Sequence, residues 1–273
     1  LLVHHNNSRF LVTVLSKTIW KIIVSKKKIV ISLAIIAGLS TPTAFAGEWS
    51  IGGSVLSQVT PYKGAKSKDY LLPVPLVNYQ SENFYFATLA AGYYLWNSPK
   101  DQLSVDVHYY PQAFKPSDSD DEQMKKLNRR RDTVMGGFTY KHHESWGSLR
   151  GIISGDLLGK SNGIIADAAY LYPFELGNWS LQPGIGAVWE NKKQNRYAYG
   201  ISQGESQRSG LAEYRPNDSW RPYVEISANY KFAENWDFFA MGRVDRLPSE
   251  VKDSPMVNKS VTAILWTGVT YTF

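Results

Sequence analysis

The last fourteen residues of the chain, 260–273, alternate between an apolar and a more polar or small face. Val261, Leu265 and Val269 share one face, which ends in the aromatic residues Tyr271 and Phe273. A period of two indicates a β-strand, because successive strand side chains point to opposite faces. An apolar face that ends in aromatic residues is typical of lipid-facing strands in outer-membrane barrels. The last strand of a soluble β-sandwich would alternate in the same way, so this segment alone leaves both folds open.

Similar short segments recur from residue 47 onward, rich in Tyr, Trp, Phe, Val and Gly and bounded by polar turns, with no amphipathic helical stretch of note. This pattern predicts an all-β chain. The clearest strand segments are 48–57, 70–80, 102–114, 131–142, 146–157, 163–173, 179–190, 220–232, 236–247 and 259–273.

The stretch 83–97 is ambiguous. Counted as one strand it brings the total to eleven, whereas a split at Ala91 and Gly92 brings the total to twelve. A single-chain barrel has an even number of antiparallel strands, with short turns at its periplasmic end and longer loops outside. The split also makes short connections alternate with long ones near 58–69, 115–130, 191–219 and 248–258. We therefore predict an antiparallel transmembrane β-barrel of twelve strands, with ten as the alternative if the two short strands do not span.

Charged residues fall on one face of these strands. In 220–232, the outward face is expected to be Val224, Ile226, Ala228, Tyr230 and Phe232, opposite Tyr223, Glu225, Ser227, Asn229 and Lys231. An Arg or Lys facing lipid near the midplane costs about 2–4 kcal/mol, so the charged face is predicted to point inward. The same rule places inside Asp106, His108, Lys141, Arg150, Asp156, Asp167, Glu190, Glu225 and Arg243. Their mixed signs predict a lumen crossed by ion pairs rather than a strongly selective pore.

The beginning of the chain has the layout of a cleavable signal peptide. Three lysines at 26–28 precede the apolar run 29–39, and Ala44-Phe45-Ala46 provides small residues at a cleavage site. The run is too short to span a bilayer as a helix. We expect residues 1–46 to be removed as an upstream extension plus signal peptide, with Val24 as the true first residue. Residues 47–273 would then form the barrel.

The leader also accounts for the basic character of the whole chain. Six of its 30 Lys and Arg residues precede Gly47, which leaves 24 cations against 24 Asp and Glu residues. A mature chain without net charge gives no support to nucleic-acid binding, which we exclude. The absence of cysteine excludes a disulfide framework and a lipid-anchored N-terminus.

The candidate catalytic residues are few. From residue 47 onward the histidines are His108, His142 and His143, and none has metal-ligand spacing. No Gly-x-Ser-x-Gly nucleophile motif occurs. Outer-membrane hydrolases place a histidine near the outer rim, whereas these lie mid-strand or towards the periplasmic end. We therefore predict no enzyme activity and no catalytic, metal or cofactor site.

The segment 115–132 combines an acidic block with a basic block. The acids are Asp118, Asp120, Asp121 and Glu122, and the bases are Lys125, Lys126, Arg129, Arg130 and Arg131. One interpretation is contact with lipopolysaccharide, whose phosphates attract cations. The other is a solvated loop with internal ion pairs. The acidic run lacks the glycine and spacing of a calcium loop.

Several passages, in this order and spacing, resemble the family of MltA-interacting protein and OmpV. They are YLLPVPLVNY at 70–79, GYYLWN at 92–97, SNGI at 161–164, QPGIG at 182–186, PNDSW at 216–220 and DSPMV at 253–257. The resemblance covers residues 47–273.

This resemblance implies an outer membrane barrel of a Gram-negative bacterium that acts as a non-enzymatic scaffold in peptidoglycan synthesis. Its partners would be a lytic murein transglycosylase and a bifunctional penicillin-binding protein, besides outer-membrane lipid and lipopolysaccharide. The family provides no ligand residues to transfer. Two alternatives remain open: a pore or channel, and an enzyme that modifies lipid or lipopolysaccharide. A scaffold would have to dock its partners on short periplasmic turns, strand rims and residues 47–50.

Overall fold

The computed structural model describes residues 47–65, 71–112 and 114–273. The predicted signal peptide and upstream extension lie outside the described residues. The strands are β1 (Glu48–Val59), β2 (Leu72–Gln80), β3 (Phe84–Ala87), β4 (Ala90–Asn97), β5 (Asp101–Tyr110), β6 (Thr133–Glu144), β7 (Gly147–Asp156), β8 (Ile164–Leu171), β9 (Phe174–Leu176), β10 (Trp179–Glu190), β11 (Ser219–Ala233), β12 (Trp236–Arg246) and β13 (Val261–Thr272).

The strands form one closed antiparallel sheet. The first strand pairs with both β2 and the last strand, from Ser50 opposite Thr272 to Val59 opposite Ala263. Strands β8 and β9 both pair with β10 in one register, interrupted at residues 172–173, so they form a single barrel strand. Counted in this way, the barrel has twelve strands, which confirms the predicted number. Closure removes the sheet edges that lipid cannot hydrogen-bond.

The predicted split of segment 83–97 at Ala91 and Gly92 is wrong in position. The turn lies at residues 88–89, and Gly92 is inside β4, opposite Tyr85. A Cβ at Gly92 would lie 2.4 Å from the Tyr85 ring, so this glycine makes room for a lumen side chain rather than for a turn. The third strand has four residues and rises about 13 Å, so the wall is low there.

The low wall leaves the outer half of β2 without a β3 partner. Residues 79 and 80 of β2 pair with β3, and the Val77 amide donates to Thr88 Oγ1. Amides at every second residue point the same way, so the amides of residues 73 and 75 would also face this gap. Both residues are proline, which has no N–H and is tolerated at a strand edge.

The two ends of the barrel differ. Both described termini, Gly47 and Phe273, lie at the end that carries the short turns 81–83, 98–100, 145–146, 177–178 and 234–235. The opposite end carries the turn 88–89 and the connections 60–71, 111–132, 157–163, 191–218 and 247–260. The predicted alternation of short and long connections is therefore confirmed. Since both termini of such barrels face the periplasm, the short-turn end is the periplasmic end.

The outward surface is an apolar belt. On β11, Val224 and Ile226 point outward and are about half exposed, whereas Tyr223, the residue before Val224, points inward and is buried in the lumen. Leu265 is exposed on β13, and its neighbour Trp266 is buried inside. This two-residue alternation is the predicted one, and it presents hydrocarbon side chains where a bilayer would surround the barrel.

If this belt faces lipid, the cost of an outward charge depends on its depth. The substitution Ile226→Arg, in the middle of β11, should lower the free energy of unfolding in lipid vesicles by about 2–4 kcal/mol. The matched substitution Val261→Arg, at the outer end of β13, should cost about 0–1 kcal/mol. Guanidinium titration in vesicles measures both. Equal costs at the two positions would contradict a membrane-embedded belt.

Candidate functional site

One side of the lumen contains a continuous network of ion pairs. Arg243 on β12 lies at its centre, with its guanidinium 2.8 Å from Asp245, 3.7 Å from Asp167 and 3.8 Å from Glu225. The guanidinium carbon also lies 3.4 Å from the centre of the Tyr223 ring, which adds a cation–π contact. Three strands, β8, β11 and β12, therefore share one cation.

A second arginine closes the network towards the periplasmic half. Arg150 on β7 pairs with Glu225 at 3.0 Å and with Asp167 at 3.5 Å. It also donates to the Tyr223 hydroxyl at 3.0 Å, and that hydroxyl donates to Asp167 at 2.8 Å. The acids are thus held by arginines from two sides, as buried carboxylates require.

The third arginine extends the network outward. Arg221 on β11 lies 3.5 Å from Glu190 and 3.4 Å from Asp245. Tyr110 on β5 donates to Glu190 across the lumen at 3.1 Å. A chain of charged and phenolic groups therefore crosses the barrel from β12 to β5. We name Arg150, Asp167, Glu190, Arg221, Tyr223, Glu225, Arg243 and Asp245 the lumen network.

The adjoining part of the lumen wall, from β12 to β2, is apolar, which the sequence did not predict. Strands β1, β2, β12 and β13 direct a packed cluster inward. Leu89, in the turn at residues 88–89, also packs against this cluster. Its members are Leu56, Val74, Leu76, Phe239, Ile264 and Trp266. The Trp266 indole N–H donates to Ser54 at 2.8 Å, so the polar edge of the ring is satisfied. The hydrophilic lining predicted for most strands therefore holds for only part of the circumference.

The two halves together seal the barrel. Glu190 and Arg243 are 1% and 3% exposed, and Leu56 is 2% exposed. A water-filled channel would leave such inward side chains accessible to solvent. The lumen at this level is therefore filled by side chains and contains no open aqueous path along these residues.

The outer connections form a cap with its own hydrophobic core. Tyr62, Phe114, Met124, Tyr199 and Met256 come from four different connections and pack together. Short helices α1 (Lys192–Tyr199), α2 (Gln203–Ser209) and α3 (Ser249–Lys252) belong to this cap. The sequence analysis did not predict these three helices, because helices of four to eight residues show too little periodicity to recognise.

A buried ion pair fastens the cap. Arg130 lies 2.9 Å from Glu205 on α2 and donates to the Gly200 carbonyl at 2.8 Å. Burial by itself would raise the pKa of Glu205, but hydrogen bonds from Arg130 and from the backbone amides of Asn128 and Ser202 lower this pKa to about 2. Glu205 is therefore ionised at every physiological pH and holds two cap segments together.

The charged loop 115–132 is held by one internal ion pair and by contacts with neighbouring connections. Glu122 pairs with Lys125 at 2.5 Å, and Asp121 pairs with Lys63 at 2.9 Å, which lowers the pKa of Asp121. Asp118 ends a short 3-10 helix, Asp120 donates its amide to the Gly64 carbonyl, and Lys126, Arg129 and Arg131 are exposed. Of the two interpretations, the contacts favour a solvated loop. Only the Glu122–Lys125 ion pair is internal to it, because Asp121 and Arg130 pair with Lys63 and Glu205 of neighbouring connections.

The three histidines do not share a site. His108 is buried in the lumen, with Nδ1 3.4 Å from Asp106. His142 and His143 lie near the periplasmic end on opposite faces of β6: His142 contacts Asp101 at 2.8 Å and His143 contacts Ser148 at 2.8 Å. Seven residues of β5 separate His108 from the level of Asp101, about 23 Å along the strand.

The periplasmic rim consists of exposed turns. Glu82, Lys100 and Glu234 lie on three of them and are exposed to solvent. Lys100 pairs with Glu144 at 2.6 Å, which raises the pKa of Lys100. An exposed ion pair of this kind contributes little to the free energy of folding, so Lys100 and Glu144 can exchange this contact for one with another molecule at little cost.

Within the described ranges, no group of three or more His, Cys, Asp or Glu side chains could hold a metal ion. Among the same residues, no helix is long and apolar enough to cross a membrane.

A closed twelve-stranded antiparallel barrel with an apolar outer belt, a sealed lumen and short turns beside both termini defines the class of outer-membrane β-barrels. The family model described as MltA-interacting protein MipA matches residues 51–273, so the chain belongs to the MltA-interacting protein family. The predicted family resemblance is thereby confirmed.

Individual relatives agree with this assignment. The MltA-interacting protein of Escherichia coli (strain K12) is 45% identical over 244 residues, which cover 89% of this chain and 98% of that protein. YiaT of Escherichia coli O157:H7 is 35% identical over 231 residues, 85% of this chain and 93% of that protein. Outer membrane protein OmpV of Vibrio cholerae serotype O1 is 19% identical over 195 residues, 71% of this chain and 76% of OmpV.

Among solved structures, a NanC porin is similar with a TM-score of 0.39 and 8% identity, covering 82% of this chain and 98% of the porin. The chain is an outer-membrane protein, as predicted.

The lumen network makes a stability prediction. The substitution Arg243→Met leaves Asp167, Glu225 and Asp245 with less positive charge in a buried place, so the free energy of unfolding should fall by about 3 kcal/mol. The control Arg246→Met, on the exposed end of the same strand, should change it by less than about 0.5 kcal/mol. Guanidinium titration in vesicles compares the two. If Arg243→Met is as stable as the control, the network does not hold the barrel closed.

Proposed function

We propose that residues 47–273 form a non-enzymatic scaffold that holds a lytic murein transglycosylase of the MltA type at the periplasmic end of an outer-membrane barrel. One observation carries this proposal: the chain is 45% identical to a relative named MltA-interacting protein and matches 98% of its length. Removal of residues 1–46 as a leader is part of the proposal. The predicted cleavage site after Ala46 supports it, because the first described strand begins two residues later, at Glu48.

The sealed lumen supports a scaffold rather than a pore. The lumen network and the apolar cluster fill the interior, and the cap packs its own core over the outer connections. Transport would require both layers to move. A scaffold has no such requirement, since its contacts lie outside the lumen, and a rigid filled barrel presents its rim in one geometry.

The arrangement of polar groups also supports a non-enzymatic role over a lipid- or lipopolysaccharide-modifying enzyme. General acid–base chemistry needs a histidine or carboxylate within hydrogen-bond reach of a substrate. His108 is enclosed in the lumen, and His142 and His143 point to opposite faces of one strand. No cofactor is needed for a binding role.

The proposed docking surface is the ring of periplasmic turns together with residues 47–50. Glu82, Lys100 and Glu234 give this ring charges of both signs on separate turns. A surface assembled from five short turns is broad and shallow, so a partner would contact several turns at once. We propose a bifunctional penicillin-binding protein as the second partner in the same assembly, so that peptidoglycan is cut and extended together.

Retention of a purified MltA-type transglycosylase on the barrel, reconstituted in nanodiscs at physiological salt, tests this proposal. We expect retention by the unaltered protein and about tenfold weaker binding by the triple variant Glu82→Gln, Lys100→Gln, Glu234→Gln, because rim charges steer and orient protein contacts.

A cap variant, Glu122→Gln with Lys125→Gln, is the matched control, because it removes an exposed ion pair at the opposite end of the barrel. It should bind as the unaltered protein does. The absence of any retention, or equal weakening by the rim and cap variants, would overturn the proposal.

A further inference from the structure

Four cations gather on one side of the outer end of the barrel. Lys192 and Lys193 begin α1, Lys160 lies in the connection between β7 and β8, and Arg131 precedes β6. All four are exposed, and none forms an ion pair with a carboxylate among the described residues. We name them the outer cation cluster.

Contacts between the backbone segments bring these four residues together. Tyr197 of α1 donates its hydroxyl to the Arg131 carbonyl at 3.1 Å and accepts from the Arg131 amide at 2.6 Å. Lys193 and Tyr197 are four residues apart, so they share one face of the helix, and Arg131 lies along that face.

Lys160 reaches the same helix from the other side. A Cβ at Gly163 would lie 2.4 Å from the Gln194 side chain, so the end of this connection rests against α1. The Asn191 amide also donates to the Ile164 carbonyl at 3.1 Å. Asp156 fixes the connection itself by accepting from the amides of Leu158, Ser161 and Asn162. Lys160 is therefore held on a rigid turn.

Exposed apolar side chains lie directly below this cluster. Leu157 and Leu158 precede Lys160 and are 58% and 53% exposed, and Leu157 covers Gly136 on the outward face of β6. Trp220, at the outer end of β11, is 61% exposed and lies opposite Trp189, three residues before Lys192. Tryptophan marks the level where a bilayer meets water. The cations thus lie at the height of the lipid head groups.

Two acids border the cluster. Asp132 directly follows Arg131 and accepts the Gln112 backbone amide at 3.0 Å. Asp218 accepts the Lys192 backbone amide at 2.5 Å, which occupies its carboxylate at the start of α1. Even if each of these two acids offsets one charge, four cations leave a net positive surface above an apolar one. That combination matches a lipid with phosphate groups at the head and acyl chains below.

We propose that the outer cation cluster binds the phosphate groups of lipopolysaccharide in the outer leaflet, with its acyl chains against Leu157, Leu158 and Trp220. The lipid-binding surface then consists of α1, the β7–β8 connection and Arg131 at the end of the loop 115–132. It does not include the rest of that loop, in which Lys125 pairs with Glu122 and Arg130 pairs with Glu205 of α2. This inference depends on the orientation of the barrel and is independent of the proposed scaffold role.

Native mass spectrometry of the detergent-solubilised mature protein, titrated with bisphosphorylated lipid A, tests the proposal. The triple variant Lys160→Gln, Lys192→Gln, Lys193→Gln should bind at least about tenfold more weakly, since each cation near an anionic lipid contributes on the order of 1 kcal/mol. The affinity of the unaltered protein for dephosphorylated lipid A should be lower by a similar factor.

The control variant Lys125→Gln, Lys126→Gln, Arg129→Gln removes the same number of charges from the loop 115–132 and should bind within about twofold of the unaltered protein. Heat-modifiable electrophoretic mobility verifies that each variant is a folded barrel. Equal binding by the cluster variant and the unaltered protein, or equal loss in the control, would overturn the proposal. Full displacement of lipid A by millimolar inorganic phosphate would also overturn it, because the site would then be one for a free anion.

Discussion

Charge burial inside a closed sheet is the constraint on which the rest of this structure depends. Three arginines and four carboxylates project into one side of the lumen, and each would be prohibitively costly there without a partner. Their pairing links β7, β8, β10, β11 and β12 through side chains as well as backbone hydrogen bonds. Tyr110 extends the linkage to β5 across the lumen. The side chains that form these ion pairs also fill the lumen. The same interactions therefore stabilise the barrel and block its interior.

Much of the fold was predictable because its main signal is local. A period of two residues assigns each strand face, and the energetic penalty of charge in lipid decides which face is inward. This reasoning placed Arg150, Asp167, Glu225 and Arg243 correctly inside. The site geometry could not be predicted, since which carboxylate meets which arginine depends on shear and side-chain length across strands far apart in sequence.

The errors have specific physical causes. Gly92 has the appearance of a turn residue, but it is a glycine because Tyr85 needs the space beside it. A signal for the low wall was present in Pro73 and Pro75, whose missing amides mark a strand edge. The strands that carry the inward apolar cluster around Trp266 have the same period of two as strands with a polar inward face. Periodicity alone therefore cannot distinguish an apolar lining from a polar one. The cap core combines residues such as Met124 and Val251 from separate connections, and nothing in either local sequence indicates the other.

The two ends of the molecule are built for different surroundings. The outer connections have a hydrophobic core, helices and a buried ion pair between Arg130 and Glu205, so they form a rigid lid beside the lipid head groups. The periplasmic end has only short connections among the described residues, and their charged side chains are free to meet another protein. A filled barrel between them fixes the distance and orientation of both surfaces, which is what a membrane-anchored scaffold requires.

The sealed lumen is the central claim, and conductance tests it most directly. Mature protein inserted into planar lipid bilayers, at amounts that give clear stepwise currents with an open porin, should produce no stepwise conductance. Reproducible single-channel openings of the unaltered protein at moderate voltage would contradict the account, because they would require an aqueous path through side chains that are buried here.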